Sequence, residues 1–151
     1  TQPAFDAMIV YPPPPMPPPA EHRTIDFKAD IIAEVGIDLN LLLNCLEMVE
    51  NGKVSSPGGK LCWTKQAWVE DAGKYIPYAL AANNDTSRLF AAARLRRLAN
   101  MLHHTQDINP YTLALLWNKG YVGTLRLLNG HSKWLNDYGL RVHNLYHDAK
   151  K

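Results

Sequence analysis

From residue 25 onward, apolar side chains recur three and four positions apart rather than at every second position, the spacing of helices that each bury one stripe. In "IDLNLLLNCLEMVE" this places Leu39, Leu42, Leu43, Leu46 and Val49 on one face, with Asp38 where a carboxylate can cap the first free amides. The stretch "TSRLFAAARLRRLANMLHH" repeats Leu89, Ala92, Leu95, Leu98 and Leu102, with Asp85 or Thr86 as its cap. In "NPYTLALLWNKG", Pro110 suits a first helical turn and Gly120 a C-terminal stop, and the unbroken apolar run predicts a central helix buried on most sides. Residues 121–128 predict a further helix ahead of "NG". Residues from about 132 to 149 predict a last one, with Trp134, Tyr138, Val142, Leu145 and Tyr146 on one face. Between the first two strong helices, "GKLCW" predicts a short extended segment and "TKQAWVEDAG" a short helix ended by Gly73. The expected fold class is mostly α.

The beginning of the chain breaks this pattern. "YPPPPMPPP" lacks the backbone donors and the free φ that helix and sheet need, which predicts a polyproline II arm over residues 1–23 ahead of one helical domain over residues 24–151. Such an arm is a stiff spacer, a strap across its own domain, or a ligand for an aromatic groove on a protein partner. With 151 residues the chain suffices for one domain with a substantial core. A net charge of +2, its basic residues scattered, argues against nucleic acid as a partner and leaves an anionic polymer such as a cell wall compatible. No apolar run reaches the roughly 18 residues of a membrane span. Cys45 and Cys62 allow one disulfide or two free thiols.

Most familiar chemistries find no support. His103 and His104 are adjacent and diverge by about 100° on a helix. His143 and His147 share a face, yet no metalloprotease glutamate or further ligand accompanies them, so neither a metal nor another cofactor is expected. "GKLCW" and "SSPGG" match neither a phosphate loop nor a serine nucleophile elbow. Glu50 stands apart. It falls at the end of a core-facing helix, where apolar neighbours and the negative helix terminus both favour the protonated carboxyl. A carboxyl kept neutral near pH 7 is what a general acid needs to protonate a glycosidic oxygen. A solvated glutamate at a helix end is the plainer alternative.

Four blocks in order across residues 49–146 carry a resemblance. "VENGKVSSPGG" resembles the "ESG...A.S..GA" entrance to the catalytic domain of soluble-type lytic transglycosylases, bacterial members of the lysozyme-like superfamily. "KLCWTKQAW" is similar to the following "GLMQ/LQIT" segment, "YTLALLWNKGYVG" to the "LALAYNAGPG" block, and "LNDYGLRVHNLY" to the closing "YVxRVxxxY" helix. The resemblance implies a lysozyme-like helical domain that cleaves the β-1,4 bond between N-acetylmuramic acid and N-acetylglucosamine in peptidoglycan. It makes Glu50 the single catalytic acid and base, Asn118 a substrate-binding polar residue, Tyr138 the hydroxyl close to the acid, and the loop residue Ser56 a further substrate contact. Glu47, three residues earlier, falls outside the matched entrance. Trp63, Trp117 and Tyr121 offer aromatic faces for sugar C–H groups, or serve as core. A monomer in the periplasm or outside the cell follows from the same resemblance, with glycan strands as partner.

The chain departs from the family pattern at Asn51, where the family has Ser, and at Lys60 and Cys62, where it has Gly and Gln. A thiol lacks the two donors and the carbonyl acceptor of Gln. This motivates a second expectation, a non-catalytic lysozyme-like module that binds glycan or serves in envelope assembly. A third is a helical interaction domain unrelated to glycans. Asp71 and Asp85 are the candidates for a second carboxylate, should water rather than the sugar's own hydroxyl complete the reaction.

Overall fold

The computed structural model describes residues 30–130 and 136–151. The proline-rich arm, and the predicted start of the last helix with Trp134, lie outside the described residues. Every regular element among the described residues is helical: α1 (Ile31–Glu34), α2 (Leu39–Glu50), α3 (Lys65–Ala72), α4 (Asn84–Leu102), α5 (Pro110–Leu128) and α6 (Asp137–Ala149), with 3-10 turns at Gly59–Leu61 and Tyr78–Ala82. The extended segment expected at "GKLCW" is a 3-10 turn instead. Gly58, Gly59 and Cys62 all have positive φ, which a strand cannot accommodate.

Local side-chain chemistry starts the helices. The Asp38 carboxylate accepts the Leu41 N–H at 3.1 Å, as its position predicts. The cap of α4 is Asn83, not Asp85 or Thr86, because its amide oxygen already takes the Thr86 N–H at 3.0 Å. At α5, Asn109 and Thr112 form a reciprocal capping box and Pro110 opens the helix. Gly73 ends α3. Gly120, with φ 74° and ψ −177°, breaks α5 into the two helices read from the sequence, in a conformation a side chain would resist.

The first half of α5 is the centre of the core. Tyr111, Leu113, Ala114, Leu115 and Leu116 are each fully buried. Helices α4 and α6 pack against α5, and α6 also packs against α2. Leu42, Leu43, Cys45 and Leu46 supply the buried face of α2, with Leu39 and Val49 partly covered. The stripe expected on α4 is shifted: Leu95, Leu98 and Leu102 are buried, but Leu89 is 67% exposed. Contacts with α3 on one side and α5 on the other bury Ala91, Arg94 and Ala99 as well, so two neighbours rather than one set which positions are covered.

Two tyrosines fix where α6 sits. The Asp38 N–H, at the start of α2, donates to the Tyr146 hydroxyl at 3.0 Å. At the other end of α6, the Tyr111 hydroxyl accepts the Asn136 N–H at 3.2 Å, and the Asn136 side chain caps the helix through the Gly139 N–H at 2.8 Å. Burial pushes the Tyr111 phenol up to about 12, so it stays neutral in this role. Gly139 allows the approach: a Cβ there would lie 2.6 Å from Cε1 of the Tyr111 ring. Gly139→Ala is therefore expected to destabilise the domain by about 1–3 kcal/mol, as over-packing does, in a denaturant titration. A loss below about 0.5 kcal/mol would mean that α6 can shift without penalty.

Candidate active site

Glu50 is the last residue of α2, and the chain leaves the helix through Asn51 in the left-handed region, its N–H bonded to the Glu47 carbonyl at 2.9 Å. The only non-glycine residues with positive φ among the described residues are Asn51 and Cys62, and both stand beside this carboxyl. Backbone held in sparsely populated regions collects at functional sites. The Cys62 sulfur lies 3.8 Å from the Glu50 carbonyl oxygen, so the turn after the loop closes over the end of α2.

The carboxyl is half-buried, and Tyr138 of α6 donates its hydroxyl proton to Glu50 Oε2 at 2.5 Å. Burial raises the Glu50 pKa, while Tyr138 and the neighbouring Cys62 thiol pull it back down; burial prevails. The phenol is itself held well above the ordinary tyrosine range, first by burial and then by its bond to Glu50 and that carboxylate's charge. Tyr138 is thus a fixed donor. Burial and the Glu50 charge also raise the Cys62 thiol, which remains protonated. Cys45 is buried and Cys62 exposed, and the two are unpaired.

A cavity of about 220 Å³ adjoins Glu50, walled by Cys62, Thr64, Arg94, Trp117 and Asn118 among others. It is contiguous, through Thr64, Arg94, Trp117 and Asn118, with an open groove of about 830 Å³ that runs past Gln66, Lys119 and Tyr121. The structure therefore gathers Glu50, Tyr138, Trp117 and Asn118 into one place. Asn118 is exposed and lines both cavities. Trp117 is half-buried, donates its indole N–H to the Leu61 carbonyl at 3.2 Å, and packs edge-on against Trp63.

The remaining expected contacts are placed differently from one another. Trp63 also lines the Glu50 cavity, but it is 2% exposed, wedged edge-on between Trp68 and Trp117 with its indole N–H on the Ser87 carbonyl. Tyr121 lines the groove but not the Glu50 cavity. Ser56 lines neither; its backbone bonds to Lys53 and Gly59 shape the loop. Glu47 is tied to Arg88 at 2.9 Å, a structural pairing. Asp71 is held by Arg94 and Arg97 with 5% of its side chain exposed, and Asp85 lies in the first turn of α4. Among the described residues, Glu50 is accordingly the one carboxylate lining its cavity. The His143 and His147 rings are 4.3 Å apart, but no group of three or more metal-binding side chains occurs among the described residues.

Arg94, in the wall of both cavities, is the residue that sequence reading passed over. Its signal was present: it stands three residues after Ala91 and four before Leu98, in the buried phase of α4. Compared with protein-family models, curated proteins and solved structures, the chain matches none.

The raised pKa of Glu50 has a consequence for stability. The native state holds this proton more tightly than the unfolded chain, so the associated stabilisation is complete below the unfolded pKa of about 4.3 and is lost as pH rises through the raised folded value. Glu50→Gln imitates the neutral carboxyl and keeps an acceptor for Tyr138. Its thermal midpoint is expected to exceed that of the wild type at about pH 7 and to converge with it towards about pH 4. A midpoint lowered equally at both pH values would show that the carboxyl is not held under desolvation.

Proposed function

We propose that the chain is a peptidoglycan lytic transglycosylase in which Glu50 acts alone as general acid and then general base. The observation that carries this reading is a half-buried carboxyl with a raised pKa, fixed by a phenol, as the single acid among the described residues in the wall of a cavity that continues into a groove. Neutral Glu50 gives its proton to the glycosidic oxygen as the bond to the muramyl C1 breaks. The acetamido group of the sugar stabilises the cationic centre in place of a second carboxylate. The Glu50 carboxylate then takes the proton of the muramyl 6-hydroxyl as that oxygen bonds to C1. The products are a 1,6-anhydro end and a free N-acetylglucosamine hydroxyl, with no water consumed. Tyr138 orients the carboxyl, and Asn118 and Trp117 offer a polar and an aromatic contact to the sugars. Such an enzyme acts in the periplasm or outside the cell as a monomer. Among the described residues no helix is long and apolar enough to cross a membrane.

Cys62 favours a second reading, a glycan-binding module without turnover. A thiol occupies the cavity wall where the resemblance expects a glutamine able to grip the substrate.

Mass spectrometry of purified peptidoglycan digested with the protein separates the two. Anhydro-muramyl ends are expected, with a loss of about 10²–10⁴-fold in Glu50→Gln. Reducing ends alone would point to hydrolysis, and binding without products to the module. The pH profile tests the role of Tyr138. Its proton stabilises the charged carboxylate, so Tyr138→Phe should move the alkaline limb of activity to higher pH while lowering the maximum rate. A limb that stays in place would detach Tyr138 from the titration of Glu50.

A further inference from the structure

The groove beyond Glu50 carries a charge pattern that a neutral sugar chain would not use. Among the described residues, Arg94, Arg97 and Lys119 line it against one carboxylate, Glu70. The Arg94 side chain is 10% exposed and directs Nη1 to Glu70 at 3.0 Å and to Asp71. Arg97 donates Nε and Nη2 to the same Asp71 at 3.2 and 3.0 Å, leaving Nη1 without a partner among the described residues. One buried carboxylate, outside the groove lining, thus holds two guanidinium groups, and Glu70 is half-exposed and, among the described residues, bonds only to Arg94. Lys119 is exposed and forms no ion pair among the described residues. The face of the groove therefore keeps an excess of positive charge, contiguous through Thr64 and Asn118 with the Glu50 cavity.

We propose that this groove binds a carboxylate borne by the substrate, with Arg97 and Lys119 as the residues that select an acidic glycan over a neutral one. The inference rests on the glycan-cleaving reading of Glu50 and narrows its substrate class. A strand whose reactive bond lies at Glu50 would continue over Asn118 into the groove, where a planar carboxylate matches the outward edge of Arg97 and the ammonium of Lys119. Neutral N-acetylglucosamine oligomers gain nothing from these charges. In a muramyl glycan the carboxylate has two sources, the lactyl ether of the sugar and the stem peptide attached to it.

Titration calorimetry on the 151-residue chain carrying Glu50→Gln, which prevents turnover, decides the matter with three probes: an N-acetylglucosamine oligomer, a peptide-free muramyl oligomer, and the same oligomer carrying its peptide. Tighter binding of an acidic oligomer than of the neutral one is expected, shrinking as salt is raised. Lys119→Gln and Arg97→Gln should each reduce that preference, by about fivefold together. A preference already present in the peptide-free oligomer assigns the lactyl carboxylate; one that needs the peptide assigns the stem. Equal binding of all three probes, or a preference untouched by Lys119→Gln, overturns this proposal and leaves the enzyme reading standing, whereas failure of every oligomer to bind overturns both. A thermal melt checks that Arg97→Gln is folded, and Lys119→Gln, which breaks no ion pair, carries the test by itself if it is not.

Discussion

The hydrogen bond from Tyr138 to Glu50 joins residues 88 apart in the chain, and most of the fold is needed to make it. Glu50 reaches its position only if α2 runs its full length from the Asp38 cap. Tyr138 reaches the carboxyl only if α6 lies close on α5, which depends on the missing side chain at Gly139 and on the Tyr111 hydroxyl that receives the Asn136 N–H. The bond then sets the chemistry on both sides. It resists, without overcoming, the effect of burial on the carboxyl, and it keeps the phenol a donor. The carboxyl is thus held between desolvation, which favours its neutral form, and the Tyr138 and Cys62 donors, which favour its charged form.

Around this pair the wall of the cavity is stiff. Trp63, Trp68, Trp117 and Phe90 meet edge-on in a chain, with centroids 4.8–5.3 Å apart, and the indoles of Trp63 and Trp117 each donate to a backbone carbonyl. Edge-to-face contacts of this kind hold rings in one orientation as well as burying area. Arg94, also in the lining, is nearly enclosed and fixed by Glu70 and Asp71. Breaking a buried pair by removing one partner costs far more than the pair itself contributes to stability. The cluster thus anchors α3 to α4 in one register and presents its surplus charge at one edge.

Much of this was legible in the residues. The helices, the Asp38 cap, Pro110 at a helix start, the break at Gly120 and the unexposed run from Tyr111 to Leu116 all follow from neighbours three or four positions apart. The mistakes came where a second element intervenes. Leu89 has the spacing of a core residue, yet α4 turns it outward because α3 and α5 claim other faces. "GKLCW" has the composition of a strand, but Gly58, Gly59 and Cys62 take positive φ in a tight turn packed against α2. How little of Trp63 faces the cavity it lines depends on a ring cluster whose members are far apart in sequence.

The sequence by itself determined where the main helices lie, the Asp38 cap, the Gly120 break and which carboxyl stands at a helix terminus beside apolar neighbours, because those properties depend on contacts within one or two turns. Only the tertiary structure decided that Tyr138 bonds that carboxyl, that no other acid among the described residues lines its cavity, and that Arg94 and Arg97 share Asp71 behind the groove. Each of these joins residues at least 23 positions apart, where no local spacing rule operates and only the packing of one helix on another brings charges and donors within reach.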